Sequence, residues 1–275
     1  MCRMIALISE KKLSPLDIKY HLYSADKSLV KQSDYDLKRL QRDGWGVGYY
    51  DEKSKPVVLK TPNPIYEEKK KVEGISVKIN SPVFIAHVRY ASNPKNLDKN
   101  KLIGLENTQP FSYSNFIFSH NGTLSIVDEI FLNLGKYSKY VKGVNDSEVL
   151  FWNFIKHMDA YSEALTALEM MRDEIKTVWI SVKKKYSFKN PYNGLNVFVS
   201  DSKSLFVLCD FKTEEEKYSI MTKGWEYGRF AYRKEKDFFI VSSEPIDGGN
   251  WNKMPQSSVM VVGSDLNFKI NTLEG

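Results

Sequence analysis

Short apolar runs of strand length alternate with polar turns along most of the chain, and two longer stretches of helical period interrupt them. Cys2 to Ser9 predicts a buried strand. Ser14-Pro15 supplies an N-cap and a first-turn proline for a helix through Tyr23. A second helical stretch is expected over Tyr35 to Gln41, broken at Asp43-Gly44. Trp45 to Tyr50 reads as a strand interrupted by glycines, which mark bulges or close backbone approach, and Val57 to Lys60 pairs back onto it. A charged helix near Tyr66 to Val72 precedes Val83 to Tyr90, too β-branched and short for a surface helix and read as a buried strand. The polar stretch Ser92 to Gln109 is a long loop of the kind that carries function. Phe116 to His120 is a strand ended by Asn121-Gly122.

The helical period dominates the middle of the chain. Asn145 or Asp146 caps one helix, with Glu148 placed for a capping-box contact and Val149, Leu150, Trp152, Phe154 and Ile155 on its apolar face. Leu165, Leu168, Met171, Ile175 and Val178 mark a second, from Ser162 to Val182. Strands follow at Leu195 to Ser200, Leu205 to Phe211, Tyr218 to Thr222, Asp237 to Ser242, Ser258 to Val262 and Phe268 to Ile270. Neighbouring strands joined by hairpin turns, with grouped helices, predict an α+β fold of antiparallel sheets. Neither a repeat nor a Pro/Gly-rich linker divides the sequence, so one domain over residues 1–275 is expected.

Composition narrows the function classes. Apolar residues at 42% and aromatics at 13% belong to a packed globular chain. Two cysteines build no disulfide framework, and no apolar run is long enough to span a bilayer, so the expectation is a cytoplasmic protein without a membrane partner. The net charge of +6 comes from short Lys bursts mixed with acids, a solvated surface rather than a nucleic-acid tract. No Gly-rich phosphate loop and no metal-ligand cluster is visible, so neither a cofactor nor a metal is expected.

Candidate chemistry begins at Cys2. Excision of Met1 would leave a thiol and an α-amine on one residue, a nucleophile and a base with pKa near ~7.7–8.0; the alternative is a small residue opening a strand. Arg89 at the end of a buried strand needs an anion, either an internal carboxylate or a bound one. Asn121-Gly122 is either a turn or a pair of donors aimed at a developing oxyanion. Asp146 is either a helix cap or a charged ligand contact. Cys209 reads as an inert core residue, and His21 and His157 as surface or core positions.

Taken together and in order, Met1-Cys2, Asp43-Gly44-Trp45-Gly46, His87 to Ser92, Asn107 to Phe111, His120-Asn121-Gly122, Asn145 to Glu148 and Ser243-Glu244-Pro245 resemble the class II glutamine amidotransferases, a branch of the N-terminal-nucleophile hydrolases. The resemblance implies a four-layer α/β/β/α sandwich of two antiparallel sheets. It also implies attack by Cys2 on the side-chain amide of glutamine, a glutamyl thioester, and release of ammonia. Asn121 and Gly122 would hold the oxyanion, Arg89 the α-carboxylate and Asp146 the α-amine. Ser92, Trp45 and Gly46 would line the pocket, with Tyr90 behind it; His87 and His120, which flank the motifs, either pack the core or support the site. Gln109, where many relatives carry His, and Asn93 depart from the pattern. The partners implied are glutamine or a γ-glutamyl compound and a separate ammonia-accepting synthase protein; exposed sheet edges leave a homodimer open. The alternatives are a γ-glutamyl peptide or amide hydrolase of the same fold and a non-catalytic basic binding module.

Overall fold

The two-residue period of the strands decides which side chains meet in each layer. The computed structural model describes residues 2–93, 95–212 and 219–274. In β1 (Arg3–Ser9), Ile5 and Leu7 join one apolar cluster while Met4, Ala6 and Ile8 join another. The same split runs through β4 (Val83–Val88), where Phe84, Ala86 and Val88 part from Val83 and Ile85. Strands buried on both faces need a cover on each side.

One sheet has the order β11 (Asn252–Lys253), β9 (Ala231–Lys234), β10 (Phe238–Ser242), β1, β4, β2 (Trp45–Tyr50), β3 (Pro56–Thr61). The other runs β13 (Phe268–Thr272), β12 (Ser258–Gly263), β8 (Ser204–Cys209), β7 (Asn196–Ser200), β6 (Phe116–Asn121), β5 (Phe111–Tyr113). Their paired strands are antiparallel. Met4, Ile85, Tyr50, Ile117, Phe198 and Met260 fill the space between the sheets. The outer face of the first sheet is covered by α1 (Pro15–Lys19), a π-helical turn at Tyr20–Ser24, α2 (Leu29–Asp34) and α3 (Lys69–Ser76). The second is covered by α5 (Val127–Leu132), α6 (Asp146–Tyr161) and α7 (Ala164–Val182), and the short α4 (Lys99–Leu102) lies in the long loop. The architecture is the α/β/β/α sandwich that the family resemblance implied.

Several local expectations change. The helix expected at 35–41 is instead α2, six residues earlier in the chain. Ser28 caps it, and Leu29 and Val30 enter the core, whereas Leu37 is 82% exposed in a turn held by Asp36. The charged helix near 66–72 becomes a 3₁₀ turn at Ile65–Glu67 followed by α3. Of the strand expected over Tyr218 to Thr222, Tyr218 lies outside the described residues and 219–222 is irregular; the strand of this region is β9. Asn145 caps α6 through its carbonyl oxygen, but the Glu148 carboxylate turns to the N–H groups of Lys142 and Gly143, so the capping box is not closed.

Burial fixes the charge state of three histidines. It pushes His21 down to about 4 and His87 to about 3, and lowers His120 as well. All three are therefore neutral in the folded chain, while the unfolded chain takes up their protons below about 6.5. The stability they hold is complete above that value and is lost as pH falls toward the folded values. The loss is at most ~1.4 kcal/mol per pH unit for each histidine. The urea midpoint is expected to fall between pH 7 and pH 5, above the range where most carboxylates titrate. An unchanged midpoint would contradict the buried neutral assignment.

Candidate active site

The β1–β4 register pairs Arg3 with Val88 and Met4 with His87, so Cys2 comes to lie across from Arg89. Cys2 has the parity of Met4, His87 and Arg89 that of Ile85, and Asn121 that of Ile117, all facing the space between the sheets. The alternation of three strands thus gathers these four side chains at one end of the inter-sheet core.

Cys2 is 8% exposed. Its Sγ accepts from the Tyr90 N–H at 3.4 Å and its S–H points to the Tyr90 carbonyl at 3.5 Å. Burial pushes the thiol up, and the Tyr90 N–H and then the Arg89 guanidinium pull it partly back. The strand end behind it is clamped. Met4 and Ser243 exchange hydrogen bonds, N–H to Oγ at 2.9 Å and N–H to carbonyl at 3.0 Å. Arg3, fully enclosed, faces the Glu244 carboxylate at 3.6 Å and donates to the Cys2 carbonyl at 3.4 Å. Glu244 also accepts from the N–H groups of Met221 and Thr222. Sequence reasoning assigned Arg3 no role, although a charged residue inside an otherwise apolar strand is the signal that could have found it.

Two opposite charges flank the thiol. The Asp43-Gly44 turn grips the end of β4: the Arg89 N–H donates to the Gly44 carbonyl at 2.8 Å, and the Asp43 carboxylate accepts from the Ala91 N–H at 2.8 Å. Arg89 Nη1 donates to the carbonyls of Leu102 at 2.7 Å and Asp43 at 3.3 Å. Its Nε and Nη2 donate to no described residue, and no carboxylate forms an ion pair with it among those described. Asp146 opens α6, whose cap is the preceding Asn145, and is 6% exposed. Its Oδ2 accepts from the Leu124 N–H at 2.7 Å. Among the described residues its Oδ1 is near only the Ser147 hydroxyl, at 3.5 Å, whose proton goes to His120. Asp146 and Ser92 line one small pocket with Asn93, Leu102, Val127 and Asn145.

Asn121 ends β6 and is 2% exposed, yet its side-chain amide bonds to no described residue and its Oδ1 is buried without a partner. Gly122 follows where a Cβ would overlap the Gly194 carbonyl, so only glycine lets these backbones meet. His120 faces the other way, toward α6. Its Nε2–H donates to the Gly194 carbonyl at 3.0 Å, which leaves Nδ1 to accept from the Ser147 hydroxyl at 2.9 Å. His87 is fully enclosed and neutral, and among the described residues neither ring nitrogen has a partner of good hydrogen-bond geometry, the His120 backbone lying nearby.

Trp45 is not brought to the site. Its parity puts the indole in the outer helical layer with Ile65 and Val72, and Nε1–H donates to Glu68 at 2.8 Å. Gly46 has the inward parity, and a Cβ there would overlap the Gln109 carbonyl. Tyr90 contributes through its backbone, its ring being 38% exposed. Cys209 is buried and pushed up to about 11 by burial. Among the described residues no cluster of His, Cys, Asp or Glu could hold a metal ion, and no helix is long and apolar enough to cross a membrane.

Comparison with known proteins follows the same line. The family model for the class-II glutamine amidotransferases matches residues 1–265. The chain is 24% identical to the probable glutamine amidotransferase DUG3 of Saccharomyces cerevisiae, over 95% of its own length and 82% of the relative's. It is equally 24% identical to an uncharacterized protein of Methanocaldococcus jannaschii, covering 95% and 69%. Among solved structures it superposes on a glutamine aminotransferase class-II domain protein from Silicibacter pomeroyi with a TM-score of 0.64, 15% identity and full coverage of both chains. It also superposes on the glutamine phosphoribosylpyrophosphate amidotransferase of B. subtilis with a TM-score of 0.62 and 17% identity, covering 99% of this chain and 49% of that one.

Proposed function

Because the chain belongs to the class-II glutamine amidotransferases, we propose that it releases ammonia from glutamine through a thioester on Cys2. The observation that carries this reading is unused hydrogen-bonding capacity in a buried place. Nε and Nη2 of the buried Arg89 and the side-chain amide of the buried Asn121 bond to no described residue, beside a thiol and a carboxylate. The Asn121 amide is buried with its Oδ1 unpartnered among the described residues, and a buried polar group normally has a partner, which a ligand would supply. An amino acid with a side-chain amide fits that set. Its α-carboxylate meets Nε and Nη2 of Arg89, its α-ammonium meets Asp146, and its amide oxygen meets Asn121 and the Gly122 N–H.

The chemistry then runs in two steps. Removal of Met1 frees the Cys2 α-amine, which takes the thiol proton as Sγ bonds to the amide carbon. A base is needed because burial holds the thiol up and a standing thiolate is disfavoured. The carbonyl oxygen becomes an oxyanion held by Asn121 and Gly122. Its collapse breaks the carbon–nitrogen bond, and the amine's proton leaves with the nitrogen as ammonia. Water, deprotonated by the same amine, then attacks the thioester and yields glutamate and free thiol. The test is ammonia release from glutamine, with intact mass before and after 6-diazo-5-oxo-norleucine. Loss of one Met and a single adduct on Cys2 are expected. A chain that keeps Met1, takes no adduct and spares glutamine would sink the reading.

A further inference from the structure

The segment just before β5 holds both halves of this site from behind. Asn107 and Gln109 are 1% and 2% exposed, and every polar atom of their side chains is engaged. Asn107 Nδ2 donates to the Lys101 carbonyl at 3.0 Å, one residue before the Leu102 carbonyl that holds Arg89. Its Oδ1 accepts from the Val144 N–H at 2.8 Å, and its backbone carbonyl accepts from Asn145 Nδ2 at 2.9 Å. Asn145 is the cap of α6 and precedes Asp146. A single asparagine is thus bonded next to the support of Arg89 on one side and next to Asp146 on the other.

Gln109 does the corresponding thing for the oxyanion donors. The β5–β6 register, Phe111 with Phe118, would put Gln109 opposite His120 if the strand continued. Pro110 has no N–H to extend the ladder. The Gln109 side chain replaces it: Nε2 donates to the His120 carbonyl at 3.0 Å, and Oε1 accepts from the His120 N–H at 2.6 Å. The residues so pinned are immediately followed by Asn121 and Gly122. The missing side chain of Gly46 gives the Gln109 carbonyl its room.

We propose that Asn107 and Gln109 are positioning residues with separable duties, Asn107 setting the two charged contacts of the substrate and Gln109 setting the oxyanion hole. The proposal rests on the glutamine reading above. Contacts made equally in the ground and transition states govern KM, and those made only in the transition state govern kcat. A misplacement of about 1 Å can lower the rate about 10²-fold. Asn107→Ala is therefore expected to raise KM for glutamine about 10-fold or more with kcat within about 3-fold. Gln109→Ala is expected to lower kcat about 10- to 100-fold with KM within about 3-fold. Gln109→Asn, one methylene too short to reach His120, should behave like Gln109→Ala.

The measurement is steady-state ammonia release by the purified chain, with melting curves to establish folding. Should Asn107→Ala not fold, Asn107→Asp replaces it, keeping the acceptor for Val144 while losing the donor to Lys101. The same KM-weighted loss is expected of it. A merely structural role would move KM and kcat alike in both positions. That outcome, or unchanged kinetics in either variant, overturns the inference while leaving the glutamine reading intact. A wild type that ignores glutamine overturns the reading itself, and the inference with it.

Discussion

Cys2→Ala is expected to lower ammonia release from glutamine about 10⁴-fold or more, the scale on which removal of a covalent nucleophile acts. The substitution removes little else. Alanine at position 2 is as small as cysteine, so excision of Met1 and the free α-amine are retained. The thiol's contacts are two long ones to the Tyr90 backbone. The neighbouring Met4–Ser243 and Arg3–Glu244 contacts that clamp the strand do not involve it. Stability should therefore change by no more than about 1 kcal/mol. The check is the hydrolysis rate beside the melting curve and the mass after 6-diazo-5-oxo-norleucine. A folded Cys2→Ala chain with wild-type turnover would assign the chemistry elsewhere and move a non-thioester mechanism forward. An inactive chain that still binds glutamine would separate binding from chemistry, as the division between Arg89, Asp146 and the thiol requires.

The faces of the site residues were legible from strand period, while their grouping came from the resemblance and rests on the β1–β4 pairing and on β6 in the facing sheet. Once Cys2 to Ser9, Val83 to Tyr90 and Phe116 to His120 are read as strands, alternation sends Cys2, His87, Arg89 and Asn121 to related faces. The same rule separates Trp45 from Gly46, and the resemblance to relatives led the two to be grouped where the pleat parts them. What sequence could not give was long-range hydrogen bonding. Glu148 sits three residues after a cap in the spacing of a capping box, yet its carboxylate accepts from the N–H groups of Lys142 and Gly143 in the preceding loop. The helix at Leu29 was missed because six residues give barely two apolar positions of helical period, and the Tyr35 to Gln41 stretch offered a longer one. Arg3 and Glu244 meet only because β1 and β10 are neighbours, and that pairing is a property of topology rather than of either segment. Gln109 and Asn107 were matched to a motif with no role attached, since their partners lie in β6 and at the start of α6.

Asn121 is where activity and stability are expected to part. Its amide is buried, and neither its Oδ1 nor its nitrogen bonds to a described residue. An unsatisfied buried polar group costs roughly 1–3 kcal/mol of stability, which removal of the side chain would recover, offset by the lost packing volume. Asn121→Ala should therefore melt within a few degrees of the wild type. Loss of one oxyanion donor, by contrast, lowers kcat about 10²- to 10³-fold. KM should stay near its wild-type value, because Arg89 and Asp146 are untouched. Gly122→Ala behaves differently. Its Cβ would overlap the Gly194 carbonyl, backbone against backbone, so the β6 end must shift and the fold loses roughly 1–3 kcal/mol as well as rate. Comparing the two variants separates the donor from the scaffold that holds it. If Asn121→Ala instead lost stability and kept its kcat, the amide would be a structural group, and the oxyanion would have to be held by backbone donors alone.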